Sequence, residues 1–112
     1  MTLGAALLLV AAAAPTDTPA GLYRTHQIEV AAALELQPNG HFRYMLTYGA
    51  MDEQAEGDWT SDSQTVRLTT RQATPSPEYF TAAFKNEPLT RSGSDLLLQR
   101  YDTTFRFVKV RP

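Results

Sequence analysis

The chain has no cysteine. That removes disulfides, thiolate metal ligands and a thiol nucleophile. It has two histidines, His26 and His41, far apart in the sequence. A zinc site needs three or four converging ligands, so both are read as exposed or hydrogen-bonded side chains. Positive charge is not in excess: 10 Lys and Arg stand against 12 Asp and Glu, a net charge of −2. Nucleic-acid faces are strongly basic, so no nucleic-acid partner is expected. No apolar run reaches the roughly 20 residues of a membrane-spanning helix, so no stable membrane span is expected. There is no Gly-rich phosphate loop and no G-x-S-x-G turn. No catalytic residue, metal or cofactor is assigned, and the chain reads as a non-enzyme.

What remains is ordinary globular material. Of 112 residues, 43% are hydrophobic and 20% charged, which argues against a disordered chain. The length suits one domain. A domain near this size buries roughly 60–70% of the surface its unfolded chain exposes, enough for a core without cross-links.

The chain opens on "MTLGAALLLVAAAAPTDTPAG". Leu3 to Ala14 is an unbroken apolar run, and residues 1–14 have the composition of a signal peptide or hydrophobic leader. Small residues at Ala11 and Ala13 suit the cleavage rule, and Pro15 disfavours a cut after Ala14. Cleavage after Ala13 is therefore expected. A buried helix is the competing reading, but the run has no polar face. Residues 15–20 read as a flexible linker and 21–112 as the domain. With no cysteine after the run, no lipid anchor is expected. The predicted location is periplasmic or secreted.

From Gly21 onward the hydrophobic period is two. Val30, Ala32, Leu34 and Leu36 share a face, as do Phe42, Tyr44, Leu46 and Tyr48. Between them, Pro38-Asn39-Gly40 predicts a three-residue hairpin loop that sets Leu36 opposite Phe42. Ala55, Gly57 and Trp59 alternate with polar residues. "SDSQ", Ser61 to Gln64, then predicts a turn placing Trp59 opposite Val66. Gly57 within a strand marks a close approach, expected from a large ring. Pro75 and Pro77 bar helix. Tyr79–Lys85 is predicted as a strand with Phe80, Ala82 and Phe84 inward. Asp95–Tyr101 and Thr103–Val110 follow, the last with Phe105 and Phe107 on one face and Val108 and Val110 on the other, bulged or buried on both sides. At the front, Gly21–Gln27 is the first strand. The fold class is all-β: an antiparallel up-and-down meander of about seven or eight strands, closed as a small barrel or left as a half-barrel.

The string "GLY…LELQPNGHFRYMLTYG…AEGDWTSDSQTVRLTT" resembles small lipocalin-like β proteins of bacterial envelopes. It is similar to the N-terminal domain of copper-resistance lipoproteins. The matching positions are Gly21 and Tyr23, Leu34 and Leu36, Gly40 and Phe42, Gly57 and Trp59, and Val66 and Leu68, across roughly half the chain. The Cys-x-x-Cys and the lipidated Cys of those relatives are missing, so copper handling and tethering do not carry over. The resemblance implies a small exported barrel or half-barrel.

Two further patterns bear on function. Asp52, Glu53, Glu56, Asp58 and Asp62 cluster in mid-chain, while Arg91, Arg100, Arg106, Lys109 and Arg111 lie near the C-terminus. Solvated, mutually balancing faces are the plainer reading, and a bipolar surface that orients a partner is the sharper one. Asp52 and Glu53 themselves read as a solvated loop. Tyr23, Tyr44, Tyr48 and Trp59 form the candidate ligand-binding set, as rings lining a barrel that side chains can just fill or that can hold one small ligand. The resulting expectation is a non-enzymatic binding module for a small apolar ligand or an envelope protein. The alternative is a periplasmic protein-facing inhibitor or assembly factor with a solid core.

Overall fold

Along most of the chain a polar residue separates each apolar one from the next, and every such segment becomes a strand with one dry face. A computed structural model describes residues 18–72 and 80–111. They form nine strands: β1 (Gly21–Gln27), β2 (Val30–Leu36), β3 (His41–Tyr48), β4 (Met51–Ser61), β5 (Thr65–Gln72), β6 (Phe80–Thr81), β7 (Glu87–Ser92), β8 (Asp95–Arg100) and β9 (Thr103–Lys109). Leaving β6 aside, each strand pairs antiparallel with the next, and β1 pairs with β9. The sheet is thus an eight-stranded closed barrel, consistent with a small lipocalin-like fold, and β6 is an added strand parallel to β4. The leader and the first half of the linker, residues 1–17, lie outside the described residues, as does Pro75–Pro77.

The core follows the alternation. Ala32, Leu34 and Leu36 of β2, Phe42, Tyr44 and Leu46 of β3, and Phe105 and Phe107 of β9 are buried, and their neighbours face out. The first long hairpin forms as its turn residues dictate. Leu36 lies opposite Phe42, Gly40 has φ 91°, and the Gln37 amide donates to the His41 carbonyl at 2.9 Å. β9 is neither bulged nor buried on both sides: Val108 and Val110 are exposed.

Three expectations need correction. Trp59 lies opposite Leu68, not Val66. The Asp62 carboxylate accepts the amides of Gln64 and Thr65 and fixes a tighter turn. The slip is two residues, so every side chain keeps its face. Second, of the predicted strand 79–85 only Phe80–Thr81 is strand among the described residues, Tyr79 lying outside them, and the eighth barrel strand is β7. Its pattern, EPLTRS, buries only Leu89. Pro88 is tolerated because β8 pairs β7 only from Thr90 onward. Phe80 is exposed rather than inward, while Ala82 and Phe84 are buried. Phe84 fills the barrel interior against Phe42 and Tyr44, at ring distances of 6.3 and 5.0 Å.

Third, what approaches Gly57 is backbone, not a ring. A β-bulge between Glu56 and Gly57 crowds β5 onto this residue. An added Cβ would meet the Thr69 carbonyl oxygen at 2.0 Å and the Arg71 nitrogen at 2.7 Å. Only glycine fits. Gly57→Ala is expected to lower the unfolding free energy by about 3 kcal/mol, measured by urea titration; a loss under about 0.5 kcal/mol would contradict this account.

Candidate functional site

The up-and-down path sorts the turns into two ends. The β1–β2, β3–β4 and β8–β9 turns share the upper end with β6, and the β2–β3, β4–β5 and β7–β8 turns share the lower end with the residues that lead into β1. The polar chemistry inside the barrel lies at the upper end and is built around Glu53.

Glu53 stands in β4 two residues before Ala55, on the inward parity, and only 1% of it is exposed. The reading of Asp52–Glu53 as a solvated loop is therefore wrong: both are strand residues, opposite Thr47 and Leu46. A lone buried carboxylate is very costly. This one is fully engaged. Arg100, at the end of β8, donates Nε to Oε2 at 2.8 Å and Nη2 to Oε1 at 2.9 Å, the bidentate geometry that suits a guanidinium. Tyr44 donates its hydroxyl to Oε2 at 2.6 Å, and Tyr101 donates to Oε1. Four donors use the carboxylate's acceptor capacity. The Arg100 guanidinium also lies 5.1 Å from the Phe84 ring centre and 4.8 Å from that of Tyr101.

Electrostatics lock these protonation states. Burial raises the Glu53 pKa, but hydrogen bonds from Arg100, Tyr101 and Tyr44 outweigh it and hold the carboxyl below its usual range. Burial, and then Glu53, raise the Tyr44 and Tyr101 hydroxyls. Hydrogen bonding to Glu53 raises Arg100. An ionised, saturated carboxylate flanked by neutral phenols has neither a proton to give nor a free lone pair to take one. The cluster is a clamp across the barrel, from β4 to β8.

The β8–β9 turn that delivers Tyr101 is strained. Tyr101 and Asp102 have φ of 55° and 57°, as a two-residue type I′ turn requires, and Asn-Gly is the usual occupant. The conformation costs roughly 1–2 kcal/mol at Tyr101, whereas Asp102 tolerates it better through its short polar side chain.

The predicted aromatic set is divided between the two ends. Tyr23 is buried and donates its hydroxyl to the Pro19 carbonyl at 2.6 Å, at the lower end. Trp59 is half-buried and donates Nε1 to the Gln37 carbonyl at 2.9 Å, also low. Tyr44 belongs to the clamp. Tyr48 is at the upper mouth, its ring edge-on to Phe105 at 5.6 Å and 6.4 Å from that of Tyr101. Glu53, Arg100, Tyr101 and Phe84 were not in the set. The signal for the charged pair was present: Glu53 continues the parity of Ala55 and Gly57, and Arg100 that of Leu96 and Leu98.

His26 is exposed and His41 Nε2 lies 3.3 Å from the Glu56 carboxylate. Among the described residues no group of three or more His, Cys, Asp or Glu is placed to hold a metal ion, and no helix is long and apolar enough to cross a membrane. Comparison with protein-family models, curated proteins and solved structures gives no match.

Glu53→Gln tests the clamp. It leaves Arg100, 22% exposed, without its counter-charge, and is expected to cost about 2 kcal/mol at neutral pH, less than for a fully buried pair because water reaches the guanidinium. A carboxyl held below its unfolded-state value stabilises the fold above the ordinary pKa of about 4.3. That contribution is lost as pH falls through the folded-state value. The wild-type stability should therefore drop on acidification below about pH 5, and the variant's curve, measured by urea titration at each pH, should be flatter. Parallel curves would remove Glu53 from the acid response.

Proposed function

We propose that the chain is an exported, non-enzymatic binding module whose barrel is a solid support and whose upper end meets another protein. The observation that carries this reading is the filled interior. Phe42, Phe84, Phe105 and Phe107, with Leu34, Leu46, Leu68 and Leu98, are all essentially inaccessible to water, and Phe84 from the β6–β7 connection occupies the upper interior where a ligand would enter. No buried polar side-chain atom among the described residues lacks a partner, so no internal group waits for a ligand to satisfy it. A shallow cleft at the lower end, between Tyr23, Asp95 and Lys109, has room for about one water molecule, with about 10 Å³ of free volume. Chain surface, rather than chain interior, is what this barrel offers.

The upper end supports the same reading. Large apolar side chains stand exposed there: Ile28 at 91%, Phe80 at 69%, with Tyr48 and Tyr101 between. Aromatic anchors of this kind are enriched where proteins meet.

Photo-crosslinking residues placed at Ile28 or Phe80, in the cells from which the protein comes, are expected to capture one discrete protein. The same group at Ala31 or Val108, on the barrel wall, should not. Native mass spectrometry of the purified chain should give the mass of the polypeptide alone, and Trp59 fluorescence should not respond to fatty acids. A co-purifying small molecule, or crosslinks that do not distinguish rim from wall, would overturn the reading. For the export part, N-terminal sequencing of the protein recovered outside the cytoplasm should begin at Ala14; an intact Met1 would reject it.

A further inference from the structure

The proposed reading leaves the chemistry of the partner open, and the rim itself narrows it. The three upper turns form one continuous surface. The Gly49 amide donates to the Glu29 carbonyl at 3.0 Å, joining the β1–β2 and β3–β4 turns. The Tyr48 and Tyr101 rings then connect these to the β8–β9 turn. The charges on this surface are of one sign. Glu29 and Asp102 occupy the turns and are exposed, and half-buried Asp52 follows the β3–β4 turn. Glu29 and Asp102 form no ion pair among the described residues, and Asp52 accepts only the Thr47 hydroxyl, at 2.8 Å. The nearby cation, Arg100, is consumed by Glu53. Among the described residues, exposed rings and unpaired carboxylates thus share one mouth.

We infer that this rim receives an apolar segment bearing Arg or Lys from another protein. A cation can lie on the face of Tyr48, the Tyr101 ring already carrying Arg100 on one side, while pairing with Glu29, Asp52 or Asp102, and the apolar residues between cations can cover Ile28 and Phe80. Charge disfavours the other occupants. Two copies of the chain meeting through this end would oppose carboxylate to carboxylate, and an anionic membrane surface would be repelled for the same reason. The inference rests on the proposed protein-facing role and adds to it the sign and character of the partner.

Two short synthetic peptides test it, one alternating Leu with Arg and the other Leu with Glu. In amide NMR titrations of the full chain, the Arg peptide is expected to shift resonances of the turns at 28–29, 49–50 and 101–102, and the Glu peptide to shift none. The combined substitution Ile28→Ser, Glu29→Gln and Asp102→Asn, checked for an unchanged spectrum elsewhere, should weaken binding by about tenfold. No response to the Arg peptide, an equal response to both peptides, or shifts spread along the barrel wall would overturn the inference. Sequencing the crosslinked segment of the native partner separates the two proposals. An acidic or uncharged segment captured from the rim would leave the protein-facing role standing and reject a basic partner.

Discussion

One ionised carboxylate, Glu53, ties the upper half of this barrel together. It belongs to β4, but its partners come from β3, β8 and the β8–β9 turn. β4 and β8 are not neighbours in the sheet; the bidentate bond from Arg100 spans the interior between them. Phe84 packs beneath the guanidinium, and Tyr44 packs against Phe84 while donating to the carboxylate. Removing any one member exposes or unpairs the next. A hydrophobic pair of similar volume could be at least as stable. What the charged cluster adds is geometry: two hydroxyls and two guanidinium nitrogens reach the same carboxylate only when the β8–β9 turn and the β6–β7 connection are in place.

The lower end is built by other means. Its turns use Gly40 and Gly93 at positive φ, with Asn39 and Asp62 accepting nearby backbone amides. These are relaxed solutions, residue type matched to backbone. The upper end also has a glycine turn, at Gly49; what it adds is side chains crossing the lumen.

This division decides what could be read from the sequence. β2 and β3 and their register followed from alternation and from Pro38-Asn39-Gly40 together, because two independent signals agreed. β4 and β5 were legible in face but not in register, since a two-residue slip changes no face and the bulge at Gly57 leaves no mark except the glycine. β7 was invisible because burial there falls on Leu89 alone. The clamp was misread for a different reason. Residue type alone assigns charged side chains to solvent, although Glu53 and Arg100 each fall on the inward parity of their strand. Carried through consistently, alternation places both inside, and two opposite charges inside one barrel have to meet. Alternation places Phe84 inward, but its position beneath the Arg100 guanidinium depends on the β6–β7 connection folding into the lumen, a long-range outcome that no local pattern encodes.

The distribution of strain extends this argument to function. Glu29, Asn86, Tyr101 and Asp102 are the non-glycine residues at positive φ among the described residues. Three of the four lie in the upper turns. Glycine or asparagine would relieve each position at little cost to the clamp, except at Tyr101, whose hydroxyl the clamp uses. Glu29 and Asp102 contribute nothing to the clamp and nothing to the core, yet Glu29 holds a costly conformation at the mouth; Asp102 holds one that Asp tolerates. Turn chemistry accounts for Asp102, but fold stability gives no reason to keep a carboxylate at Glu29. A surface that must present negative charge between exposed rings does, and this is the property that the proposed docking of a basic, apolar segment requires of that position.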